Sequence, residues 1–336
     1  MARQTTPHLP GGAHFRKLVA TALFVACAFP PSASWAAAVR VPGTSVILSP
    51  PPGFSPADRY PGFQRADNGA SIIVTELPGP VAEMQKGMTK ELLASRGMTL
   101  IQSQTVKIGG RDALLVYVSQ SAGGMDFLKW MLFAGDAKET VMIVGTFPKA
   151  AGDLSLPIKQ ALLSASWSAA AKVPPYEGLG FRVDPVPGLK LAGRVGNMLV
   201  FSERGTMGPN DSEQAILVVG GSVSGASIGD VEEFARDRAA RTSQVNQLRN
   251  VTGRDRVVDG LRGYELVAEA NDVKTGRPVR MYQLVLLDGG TYYLAQGFVN
   301  AARPPDVVGK FRNVTETFRL VSAHKSGGAA GHKAGP

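Results

Sequence analysis

The 336 residues are 44% hydrophobic and 19% charged, enough apolar material for one large or two ordinary cores, which excludes an intrinsically disordered chain. The formal charge of +9 would suit a nucleic-acid or membrane-surface binder. Its distribution argues otherwise: residues 1–36 hold three basic residues and the segment from 323 two, with no acid in either, whereas 37–178 carry 13 basic against 11 acidic residues and 179–321 carry 18 against 16. Such a balance is that of a solvated surface, and no nucleic-acid partner is expected.

The amino terminus has the pattern of an export signal. Arg16 and Lys17 precede an apolar run over 18–29, and Ser34-Trp35-Ala36 supplies a small-x-small cleavage site. The run is short of the about 20 residues that cross a bilayer, so 1–36 is expected to be removed, with the mature chain starting at Ala37 in the periplasm or outside the cell. The alternative is a lipid anchor on Cys27, which follows Val25-Ala26. No later segment has an apolar stretch of membrane length. Cys27 is the single cysteine, so no disulfide is expected and core packing must supply stability.

Two segments then follow one plan. In the first, 37–172, an apolar stretch at 45–48 leads to Pro52-Gly53-Phe54, and 71–77 alternates as a strand. Val81, Met84, Met88 and Leu92 share one face of a helix predicted over 81–95. Strands are predicted at 113–119, 127–134 and 140–147, with a Gly135-Asp136 turn signal before the last. A helix over 156–166 carries Ile158, Leu162 and Leu163. The Pro-rich stretch 173–178 is a linker. In the second segment, 179–321, strands are predicted at 198–202, 215–220, 262–268, 280–287 and 291–298, with Asp288-Gly289-Gly290 between the last two. Helices are predicted over 231–248, where Asp230 and Glu233 have capping-box spacing, and over 306–318. The composition of 322–336 is that of a disordered tail.

The two segments match as repeats. Pro52-Gly53-Phe54 corresponds to Pro187-Gly188-Leu189 at an offset of 135, Gly110 and its strand to Gly260 at 150, and Gly145-Thr146-Phe147 to Gln296-Gly297-Phe298 at 151, with Ser166-Trp167 opposite Thr317-Phe318. The polar stretches 205–212 and 220–229 supply the extra residues. The expected fold is α+β: two tandem units, each a mostly antiparallel sheet covered by helices in an α/β/α sandwich.

The signal peptide, the strand ending in Pro-Gly-Phe, the glycine turn with Arg111 and Asp112, the long hairpin and the closing helix with Ser166-Trp167 together resemble the PsbP-like superfamily, in its DcrB/LpqN-like bacterial envelope branch. The resemblance implies a binding or assembly module that docks on larger complexes. It carries over no functional residue, because the histidines that the photosystem member uses for metal have no counterpart here.

Chemistry is constrained by what the sequence lacks. His8, His14, His324 and His332 all lie in the signal or the tail, so Ser-His-Asp and Cys-His nucleophiles and closed zinc sites are not expected. Gly225-Ala226-Ser227-Ile228-Gly229 spells the hydrolase elbow without a parallel strand before it, and the histidines after it, His324 and His332, lie in the tail. Ser322 and Lys325 have Ser-x-x-Lys spacing in the tail. No phosphate loop or dinucleotide turn is present. Three sets remain as contact candidates. Arg236, Arg238 and Arg241, with Arg249, Arg254 and Arg256 nearby, form a basic face beside Asp230, Glu232, Glu233 and Asp237, which can equally pair them. Trp130, Phe133, Tyr282, Tyr292 and Tyr293 lie on hairpin strands, as platform or as core. Met84, Met88 and Met98 form a soft edge or fill the core. The expected function is non-enzymatic, without cofactor or metal: an envelope protein that binds a protein partner, or alternatively carries a lipid or apolar small molecule. A third reading is a carboxylate-based glycan hydrolase, which needs an acid pair across a cleft.

Overall fold

The computed structural model describes residues 37–321 apart from 169, 208–213, 224, 226 and 227. The export signal with Cys27, Ser227 of the elbow-like pentapeptide, and the tail with Ser322 and Lys325 lie outside the described residues.

The first unit runs β1 Val39–Arg40, β2 Ile47–Leu48, β3 Ser55–Pro56, β4 Gly62–Gln64, β5 Ser71–Pro78, α1 Val81–Lys86, α2 Lys90–Ala94, β6 Met98–Ile108, β7 Arg111–Ala122, β8 Met125–Gly135, β9 Glu139–Pro148 and, after a 3₁₀ turn, α3 Ser155–Leu163. The second runs β10 Phe181–Arg182, β11 Lys190–Val195, β12 Met198–Ser202, β13 Ile216–Gly221, α4 Val231–Ala240, β14 Val245–Val258, β15 Leu261–Asp272, β16 Pro278–Asp288, β17 Thr291–Asn300, α5 Asp306–Glu316 and β18 Arg319–Leu320. Each unit holds a seven-stranded sheet, ordered β3-β4-β5-β9-β8-β7-β6 and β11-β12-β13-β17-β16-β15-β14, with every pairing antiparallel. The two orders are the same path drawn twice, with helical structure after the third strand, α1 and α2 in the first unit and α4 in the second, and one α-helix after the seventh.

Strand alternation divides each sheet into two packed faces. In the first unit Leu115, Leu132 and Ile143 meet Ile158 and Leu162 of α3, while Val116, Val118 and Phe133 meet Met88 and Leu93 on the α1/α2 side. In the second, Leu217, Leu284 and Ala295 face Phe311 and Val314 of α5, and Leu266, Met281 and Val285 face α4 through Ala235 and Ala239. This is the expected α/β/α arrangement. Hairpin geometry comes from paired positive φ angles: Gly109 and Gly110 at 56° and 81° turn β6 into β7, and Asp259 and Gly260 at 47° and 79° turn β14 into β15. A mirror-image turn of this kind needs φ > 0 at both central residues.

Several expectations require correction. The helix predicted over 81–95 is two short helices, because the chain leaves the helix at Gly87 and restarts at Thr89, whose side chain accepts from the Leu92 N–H. The helix predicted over 231–248 stops at Ala240, and Val245–Val258 is a strand carrying Arg249, Arg254 and Arg256. Asp230 does cap α4, accepting from the Glu233 N–H at 2.7 Å. The long edge strands β6 and β14 are not among the expected elements: β14 is mostly exposed, and in β6 the alternation of Met98, Leu100, Val106 and Ile108 is broken by a bulge between Leu100 and Gln102.

The repeat offset also steps more than once. Phe63 pairs Ile72 as Phe201 pairs Leu217, Ile72 pairs Gly145 as Leu217 pairs Gly297, and Trp130 pairs Gly145 as Tyr282 pairs Gly297. The offset therefore reads 138, 145, 150 and 152 in turn, and Gly145 matches Gly297, one residue from the match expected. The longer connections are 203–215 against 65–70 and 222–230 against 79–80, close to where the sequence placed them.

The stretch 173–178 is pinned by side chains. Glu177 pairs with Arg40, and Arg194 donates to the carbonyls of Glu177, Pro175 and Gly196. Burial of the Arg194 guanidinium pulls its pKa down to about 10.

Titration of the described residues has a simple consequence. They contain neither histidine nor cysteine, so stability is expected to be level from about pH 5 to 9, a range in which no other side chain ordinarily titrates. On the acid side, hydrogen bonds hold several carboxyls below their usual range: from Arg40 to Glu177, from Arg236 to Glu232, and from Thr275 to Asp272. A depressed folded pKa contributes stability that is present above the unfolded value and lost as pH falls through the folded one. Thermal melts should therefore show a plateau that breaks downward below about pH 4.5. A slope between pH 6 and 8 would contradict this.

Candidate functional site

Trp130 is core: 4% exposed, it stacks on Tyr117 with centroids 4.2 Å apart and donates its indole N–H to Ser155 Oγ at 3.0 Å. It offers no platform. Tyr292 is half-buried, with its ring edge-on to Phe234 of α4 at 4.9 Å. Arg236 is bound to Glu232 at 2.7 Å and Arg241 to Asp237 at 2.8 Å, both as i,i+4 pairs on α4. Arg238 lies 5.9 Å from the Tyr292 ring, and its buried Nε has no hydrogen-bond partner. Helix and strand thus bring Arg238 and Tyr292 together, while Trp130, Arg236 and Arg241 are each held elsewhere. Met88 is buried and Met84 and Met98 pack beside it, as core filler.

A groove that the sequence reading missed lies on the α4 side of the second sheet. α4 packs mainly on β15 and β16, which leaves the same face of β12, β13 and the end of β17 half-open. The groove has a volume of about 480 Å³. Its floor is apolar: Met198 on β12, Ile216 and Val218 on β13, Phe298 on β17 and Val279 on β16. Period-two alternation puts Gln214, Ile216 and Val218 on one face of their segment, and Gln296 and Phe298 on the same face of β17, where Ile216 pairs Phe298 and Val218 pairs Gln296. Gln296 is engaged, donating to Thr242 Oγ1 at 2.8 Å and Gln283 Oε1 at 3.0 Å.

Comparison of the two units makes the floor informative. The first-unit counterpart of the Ile216–Phe298 pair is the Ser71–Thr146 pair. A small polar pair on an open sheet face is replaced by two large apolar side chains, where water contact is costly. The signal was present in the sequence as two outward-facing apolar residues opposite Ser and Thr, but it becomes readable only at the right register.

A second groove, of about 420 Å³, is lined by Arg111, Asp136, Glu139 and Trp167. Its carboxylates are occupied. Asp136 accepts the backbone N–H groups of Lys138 at 2.7 Å and Glu139 at 3.2 Å, which hold its pKa below the ordinary range. Glu139 accepts from Trp167 Nε1 at 3.1 Å. A glycosidase acid needs a raised pKa, the opposite of the Asp136 shift. Among the described residues no group of three His, Cys, Asp or Glu side chains converges on a metal position, and no helix is long and apolar enough to cross a membrane.

The class that this fold defines is an α+β protein of two seven-stranded antiparallel sheets, each covered by helices. No family model matches the chain. No curated protein matches it either. Among solved structures it is distantly similar to the cyanobacterial PsbP protein of Synechocystis sp. PCC 6803, at 12% identity and a TM-score of 0.27, over 42% of this chain and 100% of that one. A Bacteroides thetaiotaomicron VPI-5482 protein is 14% identical with a TM-score of 0.31 over 46% of this chain, which spans about half, 54%, of that protein. The T6SS immunity protein TplEi of Pseudomonas aeruginosa is 12% identical with a TM-score of 0.31, over 85% of this chain and 97% of its own. These likenesses are of fold, at low scores, and do not bear on function.

Proposed function

We propose that this chain is an exported, non-enzymatic binding protein that seats an apolar ligand in the groove of its second unit. The observation that carries the reading is the exchange of Ser71 and Thr146 for Ile216 and Phe298 at matching positions of two otherwise parallel sheets. The groove volume, about 480 Å³, falls within the usual range of small-ligand sites, about 300–1,000 Å³. Between the second sheet and α5 the opening is only about 10 Å³. Docking on a protein partner, the first expectation from the sequence, is the second reading. It draws on the same surface, because a partner's apolar anchor needs the same half-buried Ile216 and Phe298.

The test restores the first-unit pair. The double variant Ile216→Ser/Phe298→Thr should bind 1-anilinonaphthalene-8-sulfonate at least about tenfold more weakly than the parent chain in a fluorescence titration, since each large apolar side chain contributes about 1.5–3 kcal/mol when covered. A parent chain that does not enhance the dye, or a folded variant that enhances it equally, removes the groove as a binding site.

A further inference from the structure

Among the described residues that line the groove, one buried side-chain nitrogen is left without a hydrogen-bond partner. Gln214 lines it and is 6% exposed. Its Oε1 accepts the Arg204 N–H at 3.0 Å, which fixes the amide orientation, since only the oxygen can accept from a backbone N–H. The other arm, Nε2, is buried and makes no hydrogen bond. A buried donor left unmade is costly, and each such group in a folded protein calls for a physical explanation. The neighbouring amide, Gln296, shows the contrast, because its Nε2 is used twice. Gln214 also belongs to the connection 203–215, which is longer than its first-unit counterpart 65–70.

Resting on the groove reading above, we infer that the ligand is an alkyl chain ending in a hydrogen-bond acceptor, a carbonyl or carboxylate, that takes the Gln214 Nε2 donor while the chain lies on Ile216, Val218 and Phe298. The donor gives orientation and selects against plain hydrocarbon, and the apolar floor gives most of the affinity. A site built around a donor rejects the analogue that lacks the acceptor, because that analogue leaves the buried polar group unpaired.

The experiment uses the purified mature chain and three probes at matched free concentration: 2-octanone, octanoate and 1-octene. Binding is followed in ¹H–¹⁵N spectra that resolve the Gln214 side-chain amide. Expected are affinities for 2-octanone and octanoate about tenfold above that for 1-octene. A shift of the Gln214 amide resonances is expected with the two acceptor-bearing probes alone. Gln214→Leu should lower 2-octanone to the octene level while leaving octene unchanged. If 1-octene binds as tightly as 2-octanone, or the Gln214 amide does not move in the parent chain, the acceptor assignment is overturned and the apolar groove stands. If none of the three binds, the groove reading itself fails.

Discussion

Glu265→Ala is expected to lower the unfolding free energy by about 3 kcal/mol, read from urea melts at neutral pH. Glu265 is 2% exposed on β15 and receives Arg254 at 3.2 Å, Arg256 at 3.1 Å and Arg312 of α5 at 2.8 Å. Removal of the carboxylate leaves three guanidinium groups converging on one buried position, with Glu316, which pairs Arg256, as the one acid still bound to any of them among the described residues. The figure is set at the lower end for a broken buried pair, because the Arg254 and Arg312 side chains are 56% and 38% exposed and can turn to water. The first unit shows the alternative solution. Gln104 pairs Leu115 as Arg254 pairs Glu265, and Val106 pairs Ala113 as Arg256 pairs Gly263, so Leu115 and Val106 occupy the matching positions in an apolar core. Glu265→Leu/Arg256→Val should therefore fall within about 1 kcal/mol of the parent, or above it, since apolar replacement of a buried ion cluster is often neutral or stabilising. A harmless Glu265→Ala, or a double variant as damaged as the single one, would refute this account.

Gly297→Ala and Gly145→Ala are expected to cost about 2–3 kcal/mol each, by overpacking rather than by any change of backbone preference. Both glycines sit mid-sheet under the last helix of their unit. A Cβ at Gly297 would stand 2.6 Å from Cδ2 of Phe311, and one at Gly145 would stand 2.2 Å from Cγ2 of Ile158. Phe311 and Ile158 are fully buried, so neither ring nor branch has free space to enter. Combining Gly297→Ala with Phe311→Leu should return part of the loss, a coupling between touching residues that a double-mutant cycle measures. Two costs that simply add would show that the methyl is accommodated by movement of the whole helix.

Much of the architecture is legible in the sequence for one reason: the buried strands alternate. Segments 198–202, 280–287 and 291–298 are strands almost as predicted, and the repeat in the chain returns as two sheets of identical strand order. The long edge strands β6 and β14 are not legible, because β14 exposes most of its side chains and the apolar period of β6 is interrupted at the Leu100/Gln102 bulge. The mostly polar stretch 241–248 is included in the predicted helix for a related reason: polar residues do not distinguish an exposed helix from an exposed edge strand.

The groove was hidden by a slip of one residue. Matching Phe298 to Phe147 makes both look like core, whereas the sheet register matches Phe147 with Val299 and Phe298 with Thr146. Phe147 and Val299 are buried under α3 and α5, and Phe298 lines the groove on the opposite face. In a strand a shift of one position moves every side chain to the other face, so a repeat offset that is nearly right still assigns the wrong surface.

The sequence by itself determined the tandem α+β plan, the absence of imidazole and thiol chemistry from residues 37–321, and the near balance of charge on each unit, because these depend on composition and period alone. Only the tertiary structure decided which apolar residues stay uncovered and which polar atoms find partners. Those properties depend on how far α4 reaches across its sheet and on which residues face each other across β13 and β17, and neither is a property of any local stretch of chain.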